Sequence, residues 1–147
     1  MQRLEIKNDI LYIADDQKEY QITLNAIDIA CTDGYVINLK LYDGSQAFLH
    51  PENKESREEF NTLVKLLTQY CNFYQCDGYM VINLENLDEV SIDEEKTHWG
   101  YYNLDMRFGQ MKGGLASKNL DSLKDTKEYI LNAKENYLEM VNSVLGE

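Results

Sequence analysis

Apolar and polar residues mostly alternate along the first third of the chain. A period of two places successive side chains on opposite faces of a strand, so this pattern predicts half-buried β-strands. Asp33 with Gly34, and Asp43 with Gly44, are typical of tight hairpin turns between such strands. The chain therefore begins as an antiparallel β-meander. The alternating apolar residues are Leu4 and Ile6; Leu11 and Ile13; Tyr20, Ile22 and Leu24; Ile27 and Ile29; and Tyr35, Ile37, Leu39 and Leu41.

After Pro51 the apolar spacing changes to steps of three and four, which predicts an amphipathic helix from near Ser56 to the sequence QCDGY, with Gly78 at its end. The residues on that face are Phe60, Leu63, Val64, Leu67, Tyr70, Cys71 and Tyr74. A second helix is predicted near the end of the sequence, capped by Asp121 or Ser122. Its core-facing stripe repeats every seven residues through Leu123, Ile130, Tyr137 and Val144. We expect this helix to lie on a sheet, with a bundle seam to another chain as the alternative.

Two segments of the chain match one another. ITLNAID at residues 22–28 aligns with INLENLD at residues 82–88, and GYVINLKLYDGS resembles GYYNLDMRFGQ further along. We therefore predict an α+β fold of two divergent internal repeats, each a β-meander followed by a helix. The predicted domain is single and compact over residues 1–147, with halves 1–78 and 79–147.

A β-meander closed by one C-terminal helix resembles the general layout of bacterial pleckstrin-homology-like domains. Residues 1 to about 74 carry this resemblance more than the rest of the chain. The resemblance concerns element order, and no residue signature accompanies it. Phosphoinositide binding is not expected, because KNDILYIADDQ lacks the basic strand-loop cluster that it needs.

Acidic residues outnumber basic ones by 26 to 14, which gives a formal net charge of -12. Such a surface repels phosphate backbones and anionic membranes and attracts basic proteins. We therefore expect no direct nucleic-acid contact and no membrane contact. The N-terminal segment has no apolar run of signal-peptide length, and three cysteines form no paired framework, so a cytoplasmic location is predicted.

No motif in the sequence supports catalysis, a metal or a cofactor. GQMKGGLASKN matches no phosphate-binding pattern, and its alignment with SQAFLH predicts a glycine-kinked strand. His50 and His98 occupy non-equivalent positions in the two halves, and Cys71 with Cys76 lacks a second close pair for zinc. The chain is therefore predicted not to be an enzyme.

The stretch DEEKTHWGYY holds the one tryptophan of the chain. The aligned positions Asp88 and Asn103 of the second half are fifteen residues apart, whereas the matching Asp28 and Asn38 of the first half are ten residues apart. The stretch therefore lies in a hairpin that is five residues longer in the second half. An enlarged loop on a repeated scaffold is typical of a binding site, so we predict Trp99 as an exposed anchor; a lid over the core is the alternative. The predicted partner-binding residues are Asp93, Glu94, Glu95, His98, Trp99 and Tyr101.

These observations predict a non-catalytic acidic protein-binding module of the inhibitor, immunity or phage anti-defence type. It would occupy a basic surface of a partner such as a nucleic-acid-processing enzyme, and DNA mimicry is the expected mechanism. One alternative is a small-ligand-binding or adaptor module whose pocket is lined by Tyr70, Tyr74 and Tyr79. Another is a hydrolase that uses clustered carboxylates with a divalent ion. The oligomeric state is left open.

Overall fold

The computed structural model describes residues 1–51 and 57–145, and within them the chain forms eleven strands, two α-helices and one 3-10 helix. The predicted α+β class is confirmed. The strands are β1 (Arg3–Lys7), β2 (Ile10–Ala14), β3 (Glu19–Thr23), β4 (Ile27–Thr32), β5 (Ile37–Leu41), β6 (Gln46–Leu49), β7 (Phe73–Asp77), β8 (Met80–Asn83), β9 (Glu89–Asp93), β10 (Tyr102–Phe108) and β11 (Met111–Ser117). The helices are η1 (Leu24–Ala26), α1 (Arg57–Leu67) and α2 (Leu120–Leu145).

The described strands divide among three antiparallel sheets. The sheet orders are β1-β2-β3, β6-β5-β4-β8-β7 and β11-β10-β9. Asn8 and Asp9 join β1 to β2 with φ of 51° and 62°, the left-handed pair that a tight hairpin needs. The 3-10 turn η1 then separates β3 from β4, so the predicted meander is split between two sheets.

Two apolar clusters fill the space between these elements. One contains Leu11, Leu39 and Phe60, and the other contains Ile82 and Leu104. Strand β4 contributes to both clusters, because Ala30 belongs to the first and its neighbour Ile29 to the second. Successive side chains of a strand point to opposite faces, so β4 joins the two halves of the core.

The first helix is shorter than predicted. It ends at Leu67. Of the residues predicted to continue it, Tyr70 and Cys71 lie in the turns at residues 68–72, and Tyr74 lies in β7, where it pairs with Ile82. Cys71, predicted on the apolar face, is exposed. Ser56, the predicted start, lies outside the described residues. Gly78 lies in the turn between β7 and β8 and does not end a helix.

The internal repeat is not confirmed. The order of three strands and a helix occurs twice, as β4 to α1 and as β9 to α2, but β4 to β6 belong to a five-stranded sheet that also holds β7 and β8. The predicted boundary between residues 78 and 79 falls inside the β7–β8 hairpin. The pleckstrin-homology-like layout is not confirmed either, since the strands divide among three sheets.

Helix α2 lies against β7 and the β9–β10–β11 sheet, and its own residues Leu123 and Ile130 are buried in this contact. The Oδ1 atom of Asn119 accepts a hydrogen bond of 3.1 Å from the backbone N–H of Ser122. The cap is therefore Asn119, not Asp121 or Ser122. In the described ranges, neither long helix is both apolar and long enough to cross a membrane.

Candidate functional site

Residues 94–101 connect β9 to β10, and we call this segment the Trp99 loop. The backbone N–H of Thr97 donates to the carbonyl oxygen of Tyr101 at 2.8 Å, and the N–H of Gly100 donates to the carbonyl oxygen of Thr97 at 3.0 Å. Gly100 has φ of +81°, a conformation that suits glycine. These bonds close a tight turn, so His98 and Trp99 stand at its tip.

The Trp99 side chain is 78% exposed, and the ring of His98 meets it edge-on with 5.2 Å between the ring centres. Tyr101 is 38% exposed on the same loop. The alternative of Trp99 as a lid over the core is therefore wrong. An aromatic side chain of this size exposed at a turn tip offers a flat apolar face to a binding partner.

Three lysines contact residues of the Trp99 loop or the first residue of β10 after it. The Nζ atom of Lys96 lies 5.5 Å from the centre of the Tyr102 ring, and that of Lys118 lies 5.4 Å from the centre of the Tyr101 ring. The Nζ atom of Lys124 lies 3.4 Å from Oε1 of Glu94. Lys118 follows β11 and Lys124 belongs to α2, so neither could be seen in the local sequence of the loop.

Two of the three acids at the loop already have intramolecular partners. Oδ1 of Asp93 accepts a hydrogen bond of 2.9 Å from the backbone N–H of Glu95, which closes an Asx turn. Glu94 pairs with Lys124, and since both side chains are more than half exposed this ion pair contributes little stability. Three lysines thus lie close to the three carboxylates at this loop.

The N-terminus of α2 lies at the same end of the molecule as the loop, as the contact between Lys124 and Glu94 shows. A helix N-terminus carries a partial positive charge that favours anions. In α2 this charge is reduced by Asp121 in the first turn. The partial positive charge of the helix N-terminus therefore adds only a small amount to the positive charge of the lysines.

The three tyrosines predicted to line one pocket are separated. Tyr70 lines a cavity of about 340 Å³ with Asn72, Tyr74 one of about 290 Å³ with Tyr137, and Tyr79 one of about 390 Å³ with Cys31. Each tyrosine thus faces a different surface, and the single tyrosine-lined pocket is wrong.

The cysteines offer no reactive thiolate in the core. Burial raises the pKa of the Cys76 thiol to about 12 and raises that of Cys31. Both thiols are therefore protonated at neutral pH. Within residues 1–51 and 57–145, no group of three or more His, Cys, Asp and Glu side chains is arranged to hold a metal ion.

Neither a protein-family model nor a curated protein sequence matches the chain. A search of solved structures finds the LytTr DNA-binding domain of a Bacillus cereus protein described as a methyl-accepting/DNA response regulator. The likeness has a TM-score of 0.49 and 12% sequence identity, and it covers 85% of this chain and 98% of that chain.

This comparison contradicts the predicted functional class. The similar structure is titled as a DNA-binding domain, and nothing found supports an inhibitor, an anti-defence protein or a DNA mimic. The prediction of a basic protein partner without direct nucleic-acid contact is wrong by the same finding. The prediction was based on the net charge of the whole chain, whereas Lys96, Lys118 and Lys124 lie close to the Trp99 loop.

Proposed function

We propose that this protein binds a single-stranded nucleic acid through the Trp99 loop. The observation that carries the proposal is the exposed Trp99 ring at a turn tip, on a loop that Lys96, Lys118 and Lys124 approach. Proteins that bind single strands combine aromatic platforms with cations that follow the backbone. Both parts are present at this loop.

The aromatic rings supply the larger part of the binding energy. Stacking of a base on an aromatic side chain stabilises a complex by about 1–3 kcal/mol for each base. Trp99 offers the more exposed ring, and the partly exposed Tyr101 offers a second surface beside Lys118. Unpaired bases can reach such rings, whereas the bases of a duplex are stacked on one another. The proposal therefore favours single strands over duplexes.

The electrostatic contribution is local and modest. The net charge of -12 opposes the approach of a polyanion at low ionic strength. At about 0.1 M salt the Debye length is about 10 Å, so acids elsewhere on the surface are screened more strongly than lysines in contact with phosphates. If three lysines each neutralise one phosphate, a plot of the logarithm of the association constant against the logarithm of the salt concentration should have a slope of about -2.

The proposed activity is binding without a catalytic step. We also infer a cytoplasmic location, which is supported by the free state of Cys31, Cys71 and Cys76.

The test is a fluorescence-anisotropy titration of a labelled, mixed-sequence single-stranded DNA of about 20 nucleotides, longer than the site of one small binding domain. Trp99→Ala should weaken binding about tenfold, because it removes one stacking surface. The matched control is Tyr35→Ala, which removes a similarly exposed aromatic ring, 73% exposed against 78% for Trp99, from the β4–β5 hairpin. Circular dichroism verifies that each variant is folded.

Three results would overturn the proposal. One is the absence of binding by the wild-type protein at low salt. The other is an equal loss of affinity in Trp99→Ala and Tyr35→Ala, which would show that the loop has no special part in binding. Preference for the duplex over the single strand would contradict base stacking on Trp99.

A further inference from the structure

One face of the β6-β5-β4-β8-β7 sheet carries a row of five side chains. Residues directly opposite one another on neighbouring strands point to the same face of a sheet. The register of the five strands therefore places the following residues in one row: Phe48, Asn38, Cys31, Met80 and Asp77. Strand β11 crosses the same face beside this row, where Gly113 lies over Ile29, two positions before Cys31 in β4. The row is therefore bordered by β11 on one side.

This row forms the floor of a cleft of about 390 Å³. Gly114 and Leu115 of β11 line one side of the cleft, and the tips of the β4–β5 and β7–β8 hairpins line the other. The backbone N–H of Thr32 donates to the carbonyl oxygen of Tyr79 at 3.0 Å, which holds the two tips together. Sites for small molecules have volumes of about 300–1,000 Å³, so the cleft has the size for one small ligand.

The cleft offers an apolar surface to a ring. Phe48 on β6 is 43% exposed and Tyr79 in the β7–β8 turn is 52% exposed, and both side chains line the cleft. The guanidinium group of Arg57 lies 4.3 Å from the centre of the Tyr79 ring and covers one of its faces. Met80 and Leu115 add aliphatic surface to the lining. The open aromatic face for a ligand ring is therefore that of Phe48.

Two carboxylates stand at the hairpin end of the cleft. Oδ1 of Asp33 accepts a hydrogen bond of 2.9 Å from the backbone N–H of Val36, and Oδ1 of Asp77 accepts one of 2.7 Å from that of Tyr79. These bonds fix both side chains at the turns. The backbone bonds from Val36 and Tyr35 lower the pKa of Asp33, so this carboxyl is ionised at neutral pH. This end of the cleft favours an amine.

Lys40 supplies a positive charge on the β11 side of the cleft. It pairs with Ile29, the residue that β11 crosses, and it forms no ion pair within residues 1–51 and 57–145. Burial raises the pKa of the Cys31 thiol, and the charges of Lys40, Asp33 and Asp77 act on this thiol as well. All three charges therefore lie near the middle of the floor, with the acids on one side and the lysine on the other.

The floor also holds a hydrogen-bond acceptor that lacks a donor. Nδ2 of Asn38 donates to Oε1 of Gln46 at 3.1 Å, whereas the buried Oδ1 atom of Asn38 has no hydrogen-bond partner in the described part of the chain. A buried acceptor without a donor is unfavourable. Gln46 is exposed, so the amide of Asn38 can turn towards a donor that enters the cleft.

We propose that this cleft binds a free aromatic amino acid. The ring of the ligand lies on the floor beside Phe48. Its ammonium group faces Asp33 and Asp77 and supplies the donor that Asn38 lacks, and its carboxylate faces Lys40. The charges of the cleft thus match a zwitterion at both ends. This inference is independent of nucleic-acid binding, because the described lining of the cleft includes no residue of the Trp99 loop.

The test is a titration of the ¹⁵N-labelled chain, followed by its amide chemical shifts. Three probes share a ring and a chain length: L-phenylalanine, phenethylamine, which lacks the carboxylate, and 3-phenylpropionate, which lacks the ammonium group. L-Phenylalanine should bind with a dissociation constant on the order of 100 µM and shift the signals of Cys31, Asn38 and Gly114. Each of the other probes should bind at least about fivefold more weakly, because one charged contact is lost.

Two variants assign the charged contacts. Asp77→Asn keeps an oxygen for the turn at Tyr79 and should reduce the preference for L-phenylalanine over 3-phenylpropionate. Lys40→Gln should reduce the preference over phenethylamine. The matched controls are Asp16→Asn and Lys65→Gln, which remove the same charges at exposed positions outside the cleft and should leave all three dissociation constants unchanged.

Three results would overturn this proposal. One is the absence of shifts in the cleft at about 5 mM of each probe, well above the expected dissociation constant. Another is equal affinity for all three probes, because the charged groups would then have no part in binding. The third is a set of shifts centred on the indole signal of Trp99, which would place the ligand ring at the loop. The amide spectrum of each variant verifies that it is folded.

Discussion

The Nζ atom of Lys118 lies 5.4 Å from the centre of the Tyr101 ring, although seventeen positions of sequence separate the two residues. The register of the β10–β11 hairpin explains the contact, because Tyr102 pairs with Ser117 and the next residues outward are Tyr101 and Lys118. A cation over a tyrosine face at an exposed site contributes about 0.5–1 kcal/mol. The hairpin thus brings a positive charge to an aromatic loop.

Lys118→Gln should weaken the binding of single-stranded DNA and lower the magnitude of its salt slope by about one phosphate equivalent, close to 0.7. It removes the charge and keeps much of the side-chain length. Anisotropy titrations at several salt concentrations measure both effects. Lys65→Gln, in α1, is the matched control. An unchanged slope in Lys118→Gln would show that this lysine does not contact a phosphate.

Glu94→Gln should strengthen the same binding several-fold. The substitution removes a carboxylate from the loop and releases Lys124, whose Nζ atom lies 3.4 Å from Oε1 of Glu94. Stability should change by less than about 0.5 kcal/mol, since exposed pairs of this kind contribute little. The measurements are an anisotropy titration and urea unfolding. Weaker binding in Glu94→Gln would contradict the proposed role of the lysines.

The buried Asp28 gives the fold a pH-dependent stability. Its side chain is fully buried, its Oδ1 atom accepts a hydrogen bond of 2.9 Å from Nδ2 of Asn86, and its Oδ2 atom has no hydrogen-bond partner among the described residues. The pKa of Asp28 is raised to about 6, mainly by burial; the hydrogen bond from Asn86 opposes this shift and the nearby Asp88 adds to it. Protonation of Asp28 is therefore more favourable in the folded protein than in the unfolded chain.

Because the folded pKa of Asp28 exceeds the unfolded value near 4, its contribution to stability is complete below about pH 4 and is lost as pH rises to about 6. Asp28→Asn should remove this pH dependence and raise the free energy of unfolding at pH 7.5 by about 1–3 kcal/mol. Urea unfolding across pH 4–8 measures the effect. Asp16→Asn, at an exposed position, is the control for removal of one charge. A lower stability of Asp28→Asn at pH 7.5 would contradict this account.

Gly113 is the point at which β11 passes over Ile29 of β4. A Cβ atom placed on Gly113 would lie 2.2 Å from Cδ1 of Ile29, a fully buried residue, so the Ile29 side chain or the strand has to shift. Gly113→Ala should therefore cost about 1–3 kcal/mol of unfolding free energy. Ile29→Val removes the methyl group that clashes, so the double variant should be more stable than the sum of the two single changes predicts. Simple additivity in urea unfolding would contradict this contact.

Local patterns predicted the features of the fold that depend on near neighbours. Alternation of apolar residues predicted the strands around Leu11 and Leu39, and the glycine-rich stretch forms strand β11 as expected. The enlarged hairpin predicted the exposure of Trp99, because a longer loop extends beyond the sheet that carries it.

Long-range contacts account for the features that the sequence did not predict. Spacing favoured a helix through Tyr74, but hydrogen bonding to β8 makes this segment a strand, since pairing across a sheet overrides local periodicity. The local sequence did not indicate the lysines near the loop, because Lys118 follows β11 and Lys124 belongs to α2. A prediction of the β10–β11 register would have placed Lys118 beside Tyr101. The hydrogen bond from Asn86 to the buried Asp28 likewise joins residues 58 positions apart in the sequence.

The intrinsic fluorescence of Trp99 tests the central claim most directly. The chain contains one tryptophan, so its emission reports the Trp99 loop alone. Addition of unlabelled single-stranded DNA at low salt should quench this emission with the same dissociation constant that anisotropy gives, because bases stack on the ring. The quenching should disappear as salt is raised. Binding measured by anisotropy without any change in the Trp99 emission would contradict the account, since the nucleic acid would then lie elsewhere on the protein.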